Sequence, residues 1–141
     1  LNEENSKLMS GVGSHGLRAS LRLAREMSTD EIRNRLEEII MRIARLASGD
    51  GERAIGHIKA FVRMGDGHLK ISVVDLDLGT ETIDSLEEGA TAGSINLMAA
   101  IFGLDDDEIE EIMELELGRS RDIEFSIEHH DHEQRREKEV D

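Results

Sequence analysis

The stretch 56–76, GHIKAFVRMGDGHLKISVVDL, decides the fold class. Gly56, Ile58, Ala60, Val62 and Met64 alternate with His57, Lys59, Phe61 and Arg63, and a period of two is that of a half-buried strand. Asp66-Gly67 offers the residues of a two-residue hairpin turn, and a returning strand is expected over residues 68–76. That turn sets Met64 opposite Leu69, Val62 opposite Ile71 and Ala60 opposite Val73. One side of the hairpin is then apolar, while the other carries Lys59, Arg63 and Lys70. His57 and His68 share the polar side but stand several residues apart along it, too far to chelate one ion together.

Working upstream, the period changes to that of a helix. Ser28 and Glu31 form a capping-box pair, and Ile32, Leu36, Ile39, Ile40, Ile43, Leu46 and Ala47 line one side of a helix over residues 28–47. Ser48-Gly49-Asp50-Gly51 stops it. A preceding helix is expected over residues 17–27, where Leu17, Leu21 and Ala24 recur at helical spacing. Arg18, Arg22 and Arg25 then occupy a neighbouring face, either solvated or docked against an acidic partner. Residues 1–16, spotted with Gly11, Gly13 and Gly16, read as a mobile leader.

Downstream, residues 89–104 are apolar nearly all round and rich in glycine and alanine, which reads as a helix either central to the fold or packed on another subunit. Asp105 and Glu108 make a second capping pair for a short helix over about residues 106–113. Residues 113–117 fit helix and strand equally. A last strand begins at Ile123 and runs to about residue 130, and residues 133–141 form a charged tail. The expected architecture is a single α+β domain over residues 17–132. It has two layers, an antiparallel sheet of three or four strands with helices on its apolar face. If the last strand lay beside residues 56–64, Glu124, Ser126 and Glu128 would face Lys59 and Arg63.

Composition narrows the chemistry. A chain of 141 residues with 38% hydrophobic residues in periodic arrangement has the size and content of one folded domain. No run approaches the roughly eighteen apolar residues of a membrane span. The absence of cysteine removes disulfides, thiolate ligands and cysteine nucleophiles, and suits a reducing cytoplasm. Seventeen basic against 32 acidic residues leave a formal charge of −15, which argues against nucleic acid as a partner. Three Phe without Trp or Tyr give little material for stacking bases.

Three local patterns carry candidate chemistry. In residues 128–133, EHHDHE, His130 and His132 share a side with Glu128 if the strand continues, and two imidazoles with a carboxylate suit Zn2+ or Ni2+. The competing reading is a soluble, histidine-rich tail. Residues 71–80, ISVVDLDLGT, are similar to the strand-end aspartate motif of haloacid dehalogenase phosphatases, in which one aspartate is the nucleophile and the next an acid/base. Leu78 stands where that family has glycine and the only later lysine is Lys138, so Asp75 and Asp77 read instead as strand-end polar residues. Residues 89–94, GATAGS, lack the lysine of a phosphate loop and read as a packing surface.

These observations favour a non-enzymatic interaction or assembly module, an oligomeric accessory protein whose partner is another protein or a second copy. The apolar stretch 89–104 motivates that reading. The alternatives are a metal-responsive or metal-carrying protein using His130, His132 and Glu128, and a small enzyme with an interfacial pocket using Asp75, Asp77 and His57.

Overall fold

Ile95, Leu97, Ala99 and Ile101 are all buried on one side of a strand, and that strand runs through the middle of a six-stranded antiparallel sheet. The computed structural model describes residues 12–128. In chain order the elements are β1 (Val12–Leu23), α1 (Thr29–Ser48), β2 (Ile55–Met64), β3 (Gly67–Val73), β4 (Glu81–Ser85), β5 (Ala92–Phe102), α2 (Asp106–Arg119) and β6 (Ile123–Ile127). The sheet order is β4-β3-β2-β5-β1-β6, and every neighbouring pair is antiparallel.

This order fixes the connections. β1 and β2 flank β5, so they run parallel to each other and need a crossover, which α1 supplies. β5 and β6 flank β1 in the same way, and α2 joins them. The two interleaved crossovers give the split βαβ arrangement of a ferredoxin-like topology, with β3 and β4 inserted between β2 and β5 and extending one edge of the sheet. The α+β class is as expected, but the sheet has six strands instead of three or four.

The helix of residues 28–47 forms as its periodicity requires, except that Leu46, expected on the apolar side, is exposed and Ala44 is buried in that side instead. Ser28 and Glu31 make both capping-box hydrogen bonds, and the chain turns at Gly49 in a left-handed C-cap. Leu36, Ile39, Ile40 and Ile43 are buried in one apolar cluster with Val62, Leu69, Ile71 and Leu97 of the sheet. Arginines clamp the same helix at both flanks. Arg33 pairs with Asp84 of β4 at 3.1 Å, and Arg35 pairs with Asp122, just before β6, at 2.7 Å. Arg25, at the end of the β1 connection, bridges Glu31 at 3.0 Å and Asp122 at 3.5 Å.

Two stretches read as helices are strands. Residues 17–27 supply the end of β1 and its connection, because Leu17, Ala19 and Leu21 alternate inward along an extended chain. The pair Leu17 and Leu21 fits both periods, since a spacing of four is a whole number of strand repeats and about one helical turn. β1 begins at Val12, inside the stretch read as a leader. Residues 89–104 form β5, which is paired on both edges, with β1 and with β2. Its small residues let strands approach closely. A side chain at Gly93 would overlap the Arg63 carbonyl of the neighbouring strand.

Three boundaries also move. The hairpin turns at Gly65-Asp66, with Gly65 at φ 59°, and Met64 sits opposite Gly67, Val62 opposite Leu69 and Ala60 opposite Ile71. This is a two-residue slip from the expected register, so every side chain keeps its side of the sheet. Residues 113–117 belong to α2, with Met113 and Leu117 buried along one helical side. β4 replaces the expected acidic connection. Its inward residues Thr82 and Asp84 are polar and bond to Glu37 and Arg33 of α1, so it has no apolar alternation to betray it.

Gly93→Ala should destabilise the fold by about 1–3 kcal/mol through strand overpacking, measured by urea unfolding. A cost below a few tenths of a kcal/mol would contradict the close β2–β5 approach. The Glu31 carboxyl is held below its ordinary value of 4.5, first by the Ser28 backbone N–H and then by Arg25. Its stabilising contribution is therefore complete above the ordinary value and lost as pH falls through the lowered one. Glu31→Gln should flatten the dependence of unfolding free energy on pH in that acid window, and an unchanged slope would contradict the pairing.

Candidate functional site

With both helices on one face of the sheet, the opposite face is open. Its side chains are the even-numbered residues 14–22 of β1, those of β5 and the odd-numbered residues 57–63 of β2, continued on β3 by His68, Lys70 and Ser72; a register shift after Ile55 turns that residue to the core. Strand register arranges them in rows. The central row crosses the sheet as Ile83, Lys70, Phe61, Asn96 and Arg18, from β4 to β1. One adjacent row is Glu81, Ser72, Lys59, Met98 and Gly16, and the other is Ser85, His68, Arg63, Ser94 and Ser20.

Phe61 is the centre of this face. The Lys70 ammonium lies 5.7 Å from its ring centroid and the Arg63 guanidinium carbon 5.8 Å, both at cation–π range. The His68 ring stacks beside it at 6.1 Å with an interplanar angle of 27°. On the next strand Arg18 Nε donates to Asn96 Oδ1 at 3.0 Å, which fixes the amide beside the ring. Two shallow grooves flank the ridge formed by Phe61, Asn96 and Met98. One, of about 600 Å³, is lined by Lys59, Phe61, Lys70, Ser72, Ile83 and Met98. The other, of about 490 Å³, runs towards Arg18, His15 and Glu128.

Large apolar side chains stand exposed among the polar ones of this face. Met98 is 51% exposed, Phe102 47% and Ile83 63%. Charge is segregated as well. Arg18, Arg22, Lys59, Arg63 and Lys70 stand on the open side, with Glu81 and Glu124 near its two edges. On the covered side, the α2 sequence DDEIEEIMELELGR carries seven carboxylates against one arginine.

The expected site residues fall in separate places. Glu128 follows β6 and its backbone N–H donates to the Arg18 carbonyl at 2.9 Å. His130 and His132, with His129, Asp131 and Glu133, lie outside the described residues. Among the described residues no group of three or more His, Asp or Glu is arranged to hold a metal ion. Asp75 and Asp77 follow β3, where the Asp77 N–H donates to the Asp75 carboxylate at 2.7 Å in a local turn. They line a cleft of about 400 Å³ with Asp50 and Arg53, and His57 is not among its lining residues. His57 stands on the open face opposite Ala100, and His68 stands there against Phe61. Residues 89–94 hold a turn and the start of β5, with no helix N-terminus to cradle a phosphate.

Arg18 and Arg22 do share a face, as residues of the same parity four positions apart on one strand, whereas Arg25 is held in ion pairs with Glu31 and Asp122. The last strand pairs with β1, so β5 and β1 separate Glu124 and Ser126 from Lys59 and Arg63. Met98, Phe102 and Ile83 were not recognisable as surface residues. Alternation is present in residues 92–102, but apolar outward residues at Met98 and Phe102 hide it.

Adjacent residues on opposite sides of β5 test this face assignment. Leu97→Ala should cost about 2–5 kcal/mol in urea unfolding, whereas Met98→Ser should cost less than about 0.5 kcal/mol. Equal costs would mean that the open face is packed. No protein-family model matches the chain, and neither the curated proteins nor the solved structures yield a match.

Proposed function

We propose that the chain is a non-enzymatic interaction module that docks a protein partner on the open face of its sheet. The observation that carries this reading is β5 itself. Its inward residues Ile95, Leu97, Ala99 and Ile101 are buried, and its outward residues Met98 and Phe102 stay about half exposed although nothing in the described chain packs over them. Contiguous apolar side chains ringed by polar ones mark an interaction surface more than a solvated one, and methionine adapts its shape to a partner. Phe61 lies diagonally beside Met98, and Ile83 stands beyond Lys70 at the β4 edge, on the rim of the same groove.

The apolar stretch expected to assemble as a helix is a strand, and its outward residues supply the docking surface. A second copy remains a candidate partner, but direct face-to-face pairing would bring like charges on Lys59, Arg63 and Lys70 together. A different chain fits the surface better.

Affinity capture from a native extract, compared between variants, tests the reading. The unmodified chain and a Leu115→Glu variant, altered on the exposed side of α2, should recover the same partner, and Met98→Glu should lose it. A partner retained by Met98→Glu and lost by Leu115→Glu would transfer the function to the helical layer.

A further inference from the structure

We infer that the partner is an acidic, extended protein segment with an apolar anchor, bound across β2, β3 and β5 at Phe61; this rests on the open face being the docking surface. The first ground is which cations are paired. In the helical layer and its flanks, Arg25, Arg33, Arg35 and Arg119 each have carboxylate partners within 4.0 Å, whereas the exposed Arg42 and Arg45 stand apart in solvent; what distinguishes the open face is that its unpaired cations cluster around one aromatic ring. Among the described residues, Lys59, Arg63 and Lys70 have no such ion pair, and the described contacts of Arg63 and Lys70 are with the face of Phe61. A chain with 32 acidic residues has ample carboxylates to neutralise them, yet the strand register sets none directly opposite these three. Their charge is left facing outward from an otherwise acidic molecule, and it complements an anionic ligand.

The second ground is their geometry. Lys59, Phe61 and Arg63 follow one another on the outer side of β2, spaced about 6.6 Å apart by the strand rise, and Lys70 is directly opposite Phe61. An extended peptide with carboxylates four residues apart and an apolar residue midway sets all three side chains on one side at that spacing. Between Lys59 and Lys70, the groove of about 600 Å³ is floored by Phe61 and bordered by Ile83 and Met98, which suits one aliphatic or aromatic side chain, with a single carboxylate, Glu81, at its β4 end against two ammonium groups. Single-stranded nucleic acid shares the negative charge but fits less well. Phe61 already has Lys70, Arg63 and His68 against it, its exposed neighbours Ile83 and Met98 offer no flat ring, and the net charge of −15 repels a densely charged backbone.

The test titrates the isotope-labelled full chain at low salt with a short peptide of repeating Glu-Ser-Leu-Ser, which sets glutamate and leucine on one side when extended, its lysine-for-glutamate counterpart, and an oligothymidylate of similar length. Amide shifts should move at Lys59, Phe61, Arg63, Lys70, Ile83 and Met98 with the acidic peptide alone. Lys59→Gln/Arg63→Gln/Lys70→Gln should weaken that binding about tenfold, since it removes three modest charge–charge attractions at once, with the rest of the amide spectrum unchanged. Shifts elsewhere, no shifts, or tighter binding of the oligothymidylate at these residues would overturn the inference. If the peptide fails but Met98→Glu still loses the captured partner, the docking face stands and only its acidic ligand falls. If Met98→Glu leaves capture untouched, the docking face falls too.

Discussion

Hydrogen bonding along both edges of β5 is the constraint from which the rest of the structure follows. β5 pairs with β1 from Ala92 to Phe102 and with β2 from Gly93 to Ile101. Because both neighbours run antiparallel to it, they are parallel to each other, and no short turn can join parallel strands. The chain between them must cross over, and α1 is that crossover. The parity of the β5 side chains then decides which face the helices cover, since Ile95, Leu97, Ala99 and Ile101 must leave water together.

Covering one face leaves the other to be decided by different physics. The inward side is close-packed apolar surface, closed at its flanks by Arg33 with Asp84 and by Arg35 with Asp122. Such partly exposed pairs contribute modestly to stability, but they hold α1 against β4 and the approach to β6, positions where apolar contacts are few. The outward side keeps its cations unpaired around Phe61 and its apolar residues in water. Neither choice helps the isolated domain, and both are intelligible as preparation for a partner. Fold topology contributes nothing to that reading, because the same split βαβ framework carries unrelated functions.

The polar half of the candidate site was legible before the structure. Alternation in residues 56–64 places Lys59, Phe61 and Arg63 on one side whatever the register, and a slip of two residues in the hairpin left Lys70 on that side as well. The apolar half was not legible. Met98 and Phe102 look like core residues because β5 is apolar on both sides, and Ile83 lies in a strand whose inner face is closed by Glu37 and Arg33 in place of hydrophobic contacts. Hydrophobic periodicity reports burial by apolar neighbours and is blind to both cases.

The sequence by itself determined the elements whose information is local. α1 and α2 start at Ser28 and Asp105, because each capping box satisfies its backbone amides within four residues, and the β2–β3 hairpin closes across a two-residue turn. Only the tertiary structure decided that residues 17–23 and 92–102 are strands, since a spacing of four suits both periods and small apolar residues suit both packings. What settles each is a partner far along the chain, with Leu17 opposite Leu97 and Ala60 opposite Leu97 on its other edge. Backbone groups buried in the centre of a sheet need such partners, and no local pattern records where they are.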